Sequence, residues 1–183
     1  VNNCINLDDT SPLDSLMRHV LPTVNSIPHE LGVDLLRQAF IAFAQKSQTL
    51  AISLDIQPQR DVVDYELVSP PGYEIYLVRE AGFNGRMISL PNAHYWYTSW
   101  GARFAIVSNK HIIFKETPVT DQDNVFSVIC TVIPNECLNT IPREIAVPYG
   151  KVIAAKAIAS ALKFKSKPWY DPGLANVFER EFY

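Results

Sequence analysis

The chain has 183 residues, 48% of them hydrophobic and 19% charged, a balance that predicts a folded globular protein and excludes a disordered one. Lys and Arg number 16 against 19 Asp and Glu, net -3, with no run of like charge, so composition gives no basis for a nucleic-acid or membrane-surface partner. Three widely spaced cysteines, Cys4, Cys130 and Cys137, without a CxxC pair, predict a reducing compartment rather than a disulfide framework.

No apolar stretch approaches the roughly 20 residues that span a bilayer, and the opening VNNCINLDDTS lacks the basic region and apolar core of a signal peptide. The expectation is a chain neither exported by that route nor embedded. At 11–21, SPLDSLMRHVL places Ser11 as a helix cap, Pro12 at the first helical position and Asp14 in the first turn, where negative charge favours the helix dipole. Next, Leu31, Leu35, Ala39 and Phe43 recur every four residues beside a row of Leu36, Phe40 and Ala44, predicting a long amphipathic helix over about 28–48.

From Asp61 to Ile133 the texture changes to short β-branched and aromatic runs cut by turn residues at 69–72, 83–85, 108–110 and 121–124. VDYELV, YEIYLVREA, GRMISL, ARFAIV, HIIFKE and VFSVICTVI each fit an antiparallel strand. NECLNTIPREIAVP reads as an irregular return. At YGKVIAAKAIASALKFKS the helical period resumes with Val152, Ala155, Ala159 and Leu162 on one face, and five alanines in eight positions let a neighbour approach closely, most naturally the helix at 28–48. Pro168 stops this helix, and Asp171 caps a last one with Pro172 at its first position.

Helices, then strands, then helices predict an α+β fold: a discontinuous helical bundle from both chain ends, 1–60 and 148–183 packed together, with residues 61–147 as an antiparallel β insertion.

Catalytic signals are weak. None of the nucleotide, zinc-protease or nucleophile-elbow motifs is present, and His19, His29, His94 and His111 lack zinc spacing. Asp121, Asp123 and Asn124 resemble the start of a calcium loop, but its glycine and its closing glutamate are missing, and a turn between strands is the better reading. Cys130 with His94 or His111 could form a nucleophile pair in a small hydrolase, yet its apolar run favours an inert core thiol. No cofactor, no metal and no enzymatic activity are expected.

Aromatic and charged clusters are the better candidates. Tyr95, Trp96, Tyr97 and Trp100 suit either a sheet's core or a protein interface. At the end of the chain Phe182 and Tyr183 are the expected contacts, with Trp169 and Phe178 the expected core. Residues 148–183 carry Lys151, Lys156, Lys163, Lys165, Lys167 and Arg180 against Asp171, Glu179 and Glu181, or +3, while the remainder sums to -6. Lys163, Lys165 and Lys167 thus suit either a solvated face or an acidic docking surface.

The segment SIPHELGVDLLRQAFIAFAQKSQTL, with Pro28, Leu36, Ala39, Phe43 and Thr49, resembles the opening of the head-to-tail adaptor proteins of short-tailed bacteriophages. Tyr65, Pro71, Val78 and the Asn84-Gly85 turn are similar to that family's first strands and hairpin. Ala157, Leu162, Pro168, Trp169, Asp171, Pro172 and Phe178 are similar to its closing helices. The resemblance implies a dodecameric ring that binds the portal ring of a DNA-filled capsid, offers a platform to the tail nozzle, with tail fibres as a further candidate partner, and lets DNA pass without specific binding. It further implies residence at the head-to-tail junction of the virion, after assembly in the host cytoplasm. Another head-completion or tail-terminator ring protein is the alternative within virion proteins.

Overall fold

The computed structural model describes residues 4–57, 59, 62–83, 86–89, 104–108, 110–114 and 125–183. In chain order it runs β1 (Thr10–Pro12), a 3-10 turn (Leu13–Leu16), α1 (Met17–Val20), α2 (His29–Ser47), β2 (Ala51–Ile56), β3 (Asp64–Glu66), β4 (Tyr73–Phe83), β5 (Arg86–Ser89), β6 (Phe104–Ser108), β7 (His111–Phe114), β8 (Phe126–Pro134), β9 (Thr140–Pro142), α3 (Arg143–Ala161) and α4 (Pro172–Phe182). The fold is α+β, with helices from both ends of the chain and antiparallel strands between them.

Two units divide the chain: a helical unit of Ile5–Ser47 with Pro134–Tyr183, and a sheet unit centred on Gln48–Ile133. The junctions therefore lie at 47/48 and 133/134, not at 60/61 and 147/148. Two local features move them. Gln48 adopts a left-handed backbone, φ 52°, which ends α2 and sends the chain directly into β2. At the other junction, the segment expected as an irregular return forms β9 and the first turn of α3.

In the helical unit, β1 and β9 pair antiparallel with Ser11 opposite Ile141, and the Leu13 N–H donates to the Asn139 carbonyl at 2.8 Å. Ser11 and Pro12 thus serve a two-stranded ribbon rather than a helix cap, and helical backbone starts only at Leu13. In α2 the expected stripe is buried at Leu35, Leu36, Ala39, Phe40, Phe43 and Ala44, with Leu31 half-buried.

α3 starts at Arg143 and carries Pro148 within it. A proline six residues into a helix removes one bond, that from residue 148 to the Glu144 carbonyl, and here both Glu144 and Pro148 are exposed residues. α3 packs against α2, α4 and α1. It is consequently buried around most of its circumference, Ile153, Ala154, Ala155, Ala157, Ile158, Ala159 and Ala161 all being inside, and not along one face as its period suggested. A Cβ on Gly150 would lie 2.8 Å from Leu16 Cδ2, so a side chain there would require the buried Leu16 to shift. Each fully buried Leu or Ile here, such as Leu13, Leu36 and Ile153, contributes about 2 kcal/mol relative to exposure.

The sheet unit holds a four-stranded sheet ordered β2-β8-β4-β5 and a three-stranded one ordered β3-β7-β6. β2 was not expected from the sequence. It pairs antiparallel with β8 from Ala51 opposite Thr131 to Ile56 opposite Phe126. Phe126, Val128, Cys130 and Val132 of β8 are all fully buried. Phe114 of β7 stacks edge-on against Phe126 at 5.0 Å and against Tyr65 of β3 at 5.3 Å, tying the two sheets together through one aromatic column.

Candidate interaction surfaces

α3 ends at Ala161, well before Pro168, and a tightly held loop joins it to α4. The Ala161 carbonyl accepts from the Phe164 N–H and from the indole Nε1–H of Trp169, both at 3.1 Å. Asp171 N–H donates to the Leu162 carbonyl at 3.0 Å, closing the loop's base, and Tyr170 N–H to the Lys167 carbonyl at 3.0 Å. Ser166 sits in its apex region with φ 72°, a left-handed conformation that a non-glycine residue holds only when its surroundings impose it. The loop then delivers Asp171 to cap α4: its carboxylate accepts from the Leu174 N–H at 2.9 Å, with Pro172 at the first position as the sequence predicted.

Lys163, Phe164, Lys165, Lys167 and Tyr170 are all exposed on this loop, and Trp169 is half-buried beneath it. Lys163 also turns back to Glu179 of α4, Nζ to Oε2 at 2.6 Å, while Lys156 of α3 reaches the other oxygen at 3.2 Å. Those two lysines, Lys163 foremost, hold the Glu179 carboxyl below the usual range. α4 buries Ala175 and Phe182 and leaves Leu174 and Val177, three residues apart on the helix, exposed.

The last two residues part company. Phe182, expected as a contact, is only 8% exposed, whereas Tyr183 is 74% exposed. Phe182 completes the inner face of α4, with Lys46 of α2 and Lys156 within 5.7 Å and 5.5 Å of its ring. Lys46 lies 3.6 Å from the centre of the Tyr183 ring. Of the predicted contacts on the helical unit, Lys163, Lys165, Lys167 and Tyr183 are therefore at the surface and Phe182 is not.

A feature not foreseen from the sequence lies at the start of α2. Pro12, Asp14, His29, Glu30, Val33, Asp34, Arg37 and Asn139 line a groove of about 370 Å³. Arg37 is fixed there: it pairs with Asp34 at 2.5 Å, donates from Nε to the Leu138 carbonyl at 3.1 Å and from Nη2 to Asn139 Oδ1 at 2.6 Å. The Asp34 and Arg37 spacing of three residues is legible in the sequence, but the approach of Pro12, Asp14 and Asn139 depends on the β1 and β9 ribbon.

Tyr95, Trp96, Tyr97, Trp100 and His94 lie outside the described residues, as does the turn at 121–124. In the sheet unit Cys130 is fully buried and burial pushes its thiol up to about 12, which disfavours the thiolate a nucleophile needs. His111 Nδ1 lies 3.2 Å from Asp64 Oδ1. Among the described residues no three His, Cys, Asp or Glu side chains gather as they would around a metal ion, and no helix is long and apolar enough to cross a membrane. No protein-family model matches the chain, and no curated protein matches it at a significant level.

Proposed function

We propose that this chain is a structural subunit of a virion, a head-to-tail adaptor of the short-tailed bacteriophage type that works by assembly and not by catalysis. In this reading its copies form a ring on the portal, most simply twelve of them. The ring presents a platform to the tail nozzle and leaves a channel for DNA at the head-to-tail junction. The observation that carries the reading is the helical unit assembled from both ends of the sequence, with the sheet unit inserted between them. The motifs that resemble the adaptor family, from Pro28 to Phe43 and from Ala157 to Phe178, supply the core and caps of that unit.

Surface chemistry supports it further. A ring of identical chains repeats one heterologous contact, so each copy needs two unlike faces. The basic, aromatic loop after α3 and the acidic groove at α2 are two such faces. A net charge of -3 also suits a channel wall past which phosphates must slide, since counterion release at a basic wall would hold the DNA. The buried, unactivated Cys130 counts against the hydrolase alternative.

Co-expression with the portal protein of the same genome, followed by mass measurement of the purified complex, tests the reading. A complex carrying twelve copies of this chain on a portal ring supports the adaptor. Failure to co-purify with portal, together with binding to a tail tube, assigns the chain to the tail-terminator class instead.

A further inference from the structure

The loop at 163–170 and the groove at α2 are matched in more than sign. On the loop, Phe164 and Tyr170 are exposed apolar groups flanked by Lys165 and Lys167, with Lys163 already engaged by Glu179. In the groove, Pro12 and Val33 are flanked by Asp14, Glu30 and Asp34, with His29 also in the lining and Arg37 already engaged by Asp34, Leu138 and Asn139, so the carboxylates outnumber the one guanidinium three to one. The loop is held by its closed base, by the Trp169 indole bond and by the left-handed Ser166, so less conformational entropy remains to be lost on docking. The groove is concave and braced by Arg37.

Position decides whether the two meet within one chain or between chains. Asn139, in the groove's lining, lies just before α3, and the loop begins directly after it. The 19 residues of α3 hold those points at opposite ends of a rigid rod of about 28 Å. A loop tied down at Ala161 and Leu162 has no slack to cross that distance.

We infer that the loop at 163–170 of one copy seats in the groove formed by Asp14, Glu30, Val33, Asp34 and Arg37 of a second copy of this chain. Because donor and acceptor surfaces lie at opposite ends of one unit, the contact is head-to-tail and each docking leaves a new groove and a new loop free, which is the geometry that propagates to a closed ring. Lysine against carboxylate sets register and encounter rate, and the aromatic rings in the groove supply the apolar burial. The inference rests on the self-assembly part of the proposed function and assigns it to particular residues.

Its test is sedimentation of the full chain at low salt, about 20 mM, where surface charge is least screened. Three samples are compared: wild type, the loop variant K165E/K167E and the groove variant D14K/E30K, all substituted at exposed positions, with circular dichroism verifying that each folds. The expected result is association of wild type, weakened at least about tenfold in either variant. An equimolar mixture of the two variants is expected to recover it, because each then meets the opposite charge. Zero-length coupling of Lys165 or Lys167 to Glu30 or Asp14 in mixed isotope-labelled and unlabelled chains is expected between copies. Association that survives in both variants overturns the loop-and-groove contact and leaves ring assembly standing through another surface. Loss in both variants without recovery in the mixture overturns the pairing. A wild-type chain that stays monomeric up to about 1 mM overturns the contact. If that chain also adds no ring to the co-expressed portal, ring assembly falls with it.

Discussion

Trp169 Nε1 and the Ala161 carbonyl meet at 3.1 Å, so the last turn of α3 is closed by a side chain from eight residues downstream. The same carbonyl accepts from the Phe164 N–H, which makes Ala161 the anchor for both arms of the loop. Trp169→Phe keeps an aromatic ring and removes the donor. It is expected to lower stability by about 1 kcal/mol, the net worth of one such bond, with an unchanged denaturant slope. Amide exchange at Phe164 and Asp171 is expected to accelerate more than exchange in α2. Unchanged protection at those two amides would show that the indole does not hold the loop.

Glu179 takes Lys163 on one oxygen and Lys156 on the other, joining α4 to α3 and to the start of the loop. Its folded carboxyl titrates below its unfolded value, near 4.3, so between the two the unfolded chain binds the extra proton and stability falls as pH falls. Lys163 is half exposed, which holds the net contribution to about 0.5–1 kcal/mol at neutral pH. Glu179→Gln is therefore expected to be less stable than wild type at pH 7 by about that amount. The gap is expected to close once acid has protonated Glu179 in both states. Urea denaturation of both proteins across pH 7 to 3 checks this, and a gap that is constant with pH would rule out the ion pair as its source.

Where local pattern and tertiary use agree, the sequence was sufficient. The stripe from Leu35 to Ala44 and the Asp171-Pro172 cap are readable because each is a short-range rule satisfied within one element. β2 is masked although Ile52, Leu54 and Ile56 alternate with Ser53 and Asp55, because only three residues, Gln48 to Leu50, separate it from a strong helix and the left-handed turn at Gln48 carries no glycine or proline signal. Ser11-Pro12 carries a genuine capping signal that loses to pairing with β9, a partner some 130 residues away. Pro148 masked the first turn of α3 for the opposite reason, a breaker tolerated at an exposed position. The burial of Phe182 was not legible because its place at the end of the chain says nothing of the Lys46 and Lys156 side chains that converge on it. The groove could not be read at all, since Pro12, Asp14 and Asn139 reach it only through the ribbon.

Cys130 bears on the rejected enzymatic reading. With Cys4 and Cys137 exposed and Cys130 fully buried, a thiol reagent is expected to modify two groups in the native protein and the third only on unfolding. Cys4 is expected to be slower than an isolated thiol, because partial burial and then Glu80 and Asp55 push it up. Rapid native modification of Cys130, resolved by peptide mass spectrometry, would contradict the packing of β8. Cys130→Ser is expected to cost about 1–3 kcal/mol by placing a hydroxyl in that core, so a phenotype of this variant must be judged against its stability.

Two hydroxyls in the sheet unit find no partner among the described residues, Tyr73 Oη and Thr131 Oγ1. Both residues are buried, Thr131 completely, and burial alone pushes the Tyr73 phenol up to about 12, so it stays protonated, a donor without a partner among the described residues. An unsatisfied buried hydroxyl costs about 1–3 kcal/mol of desolvation that nothing returns. Removing the oxygen while keeping the shape is therefore expected to stabilise: Tyr73→Phe and Thr131→Val should each add about 1 kcal/mol, or about 2–4 °C in Tm for a chain of this size. Thr131→Ala should do the reverse, because it also removes a methyl group from a packed site opposite Ala51. Thermal unfolding of the three variants decides it, and a lower Tm for Tyr73→Phe or Thr131→Val would mean that the hydroxyl in question is bonded in the native protein.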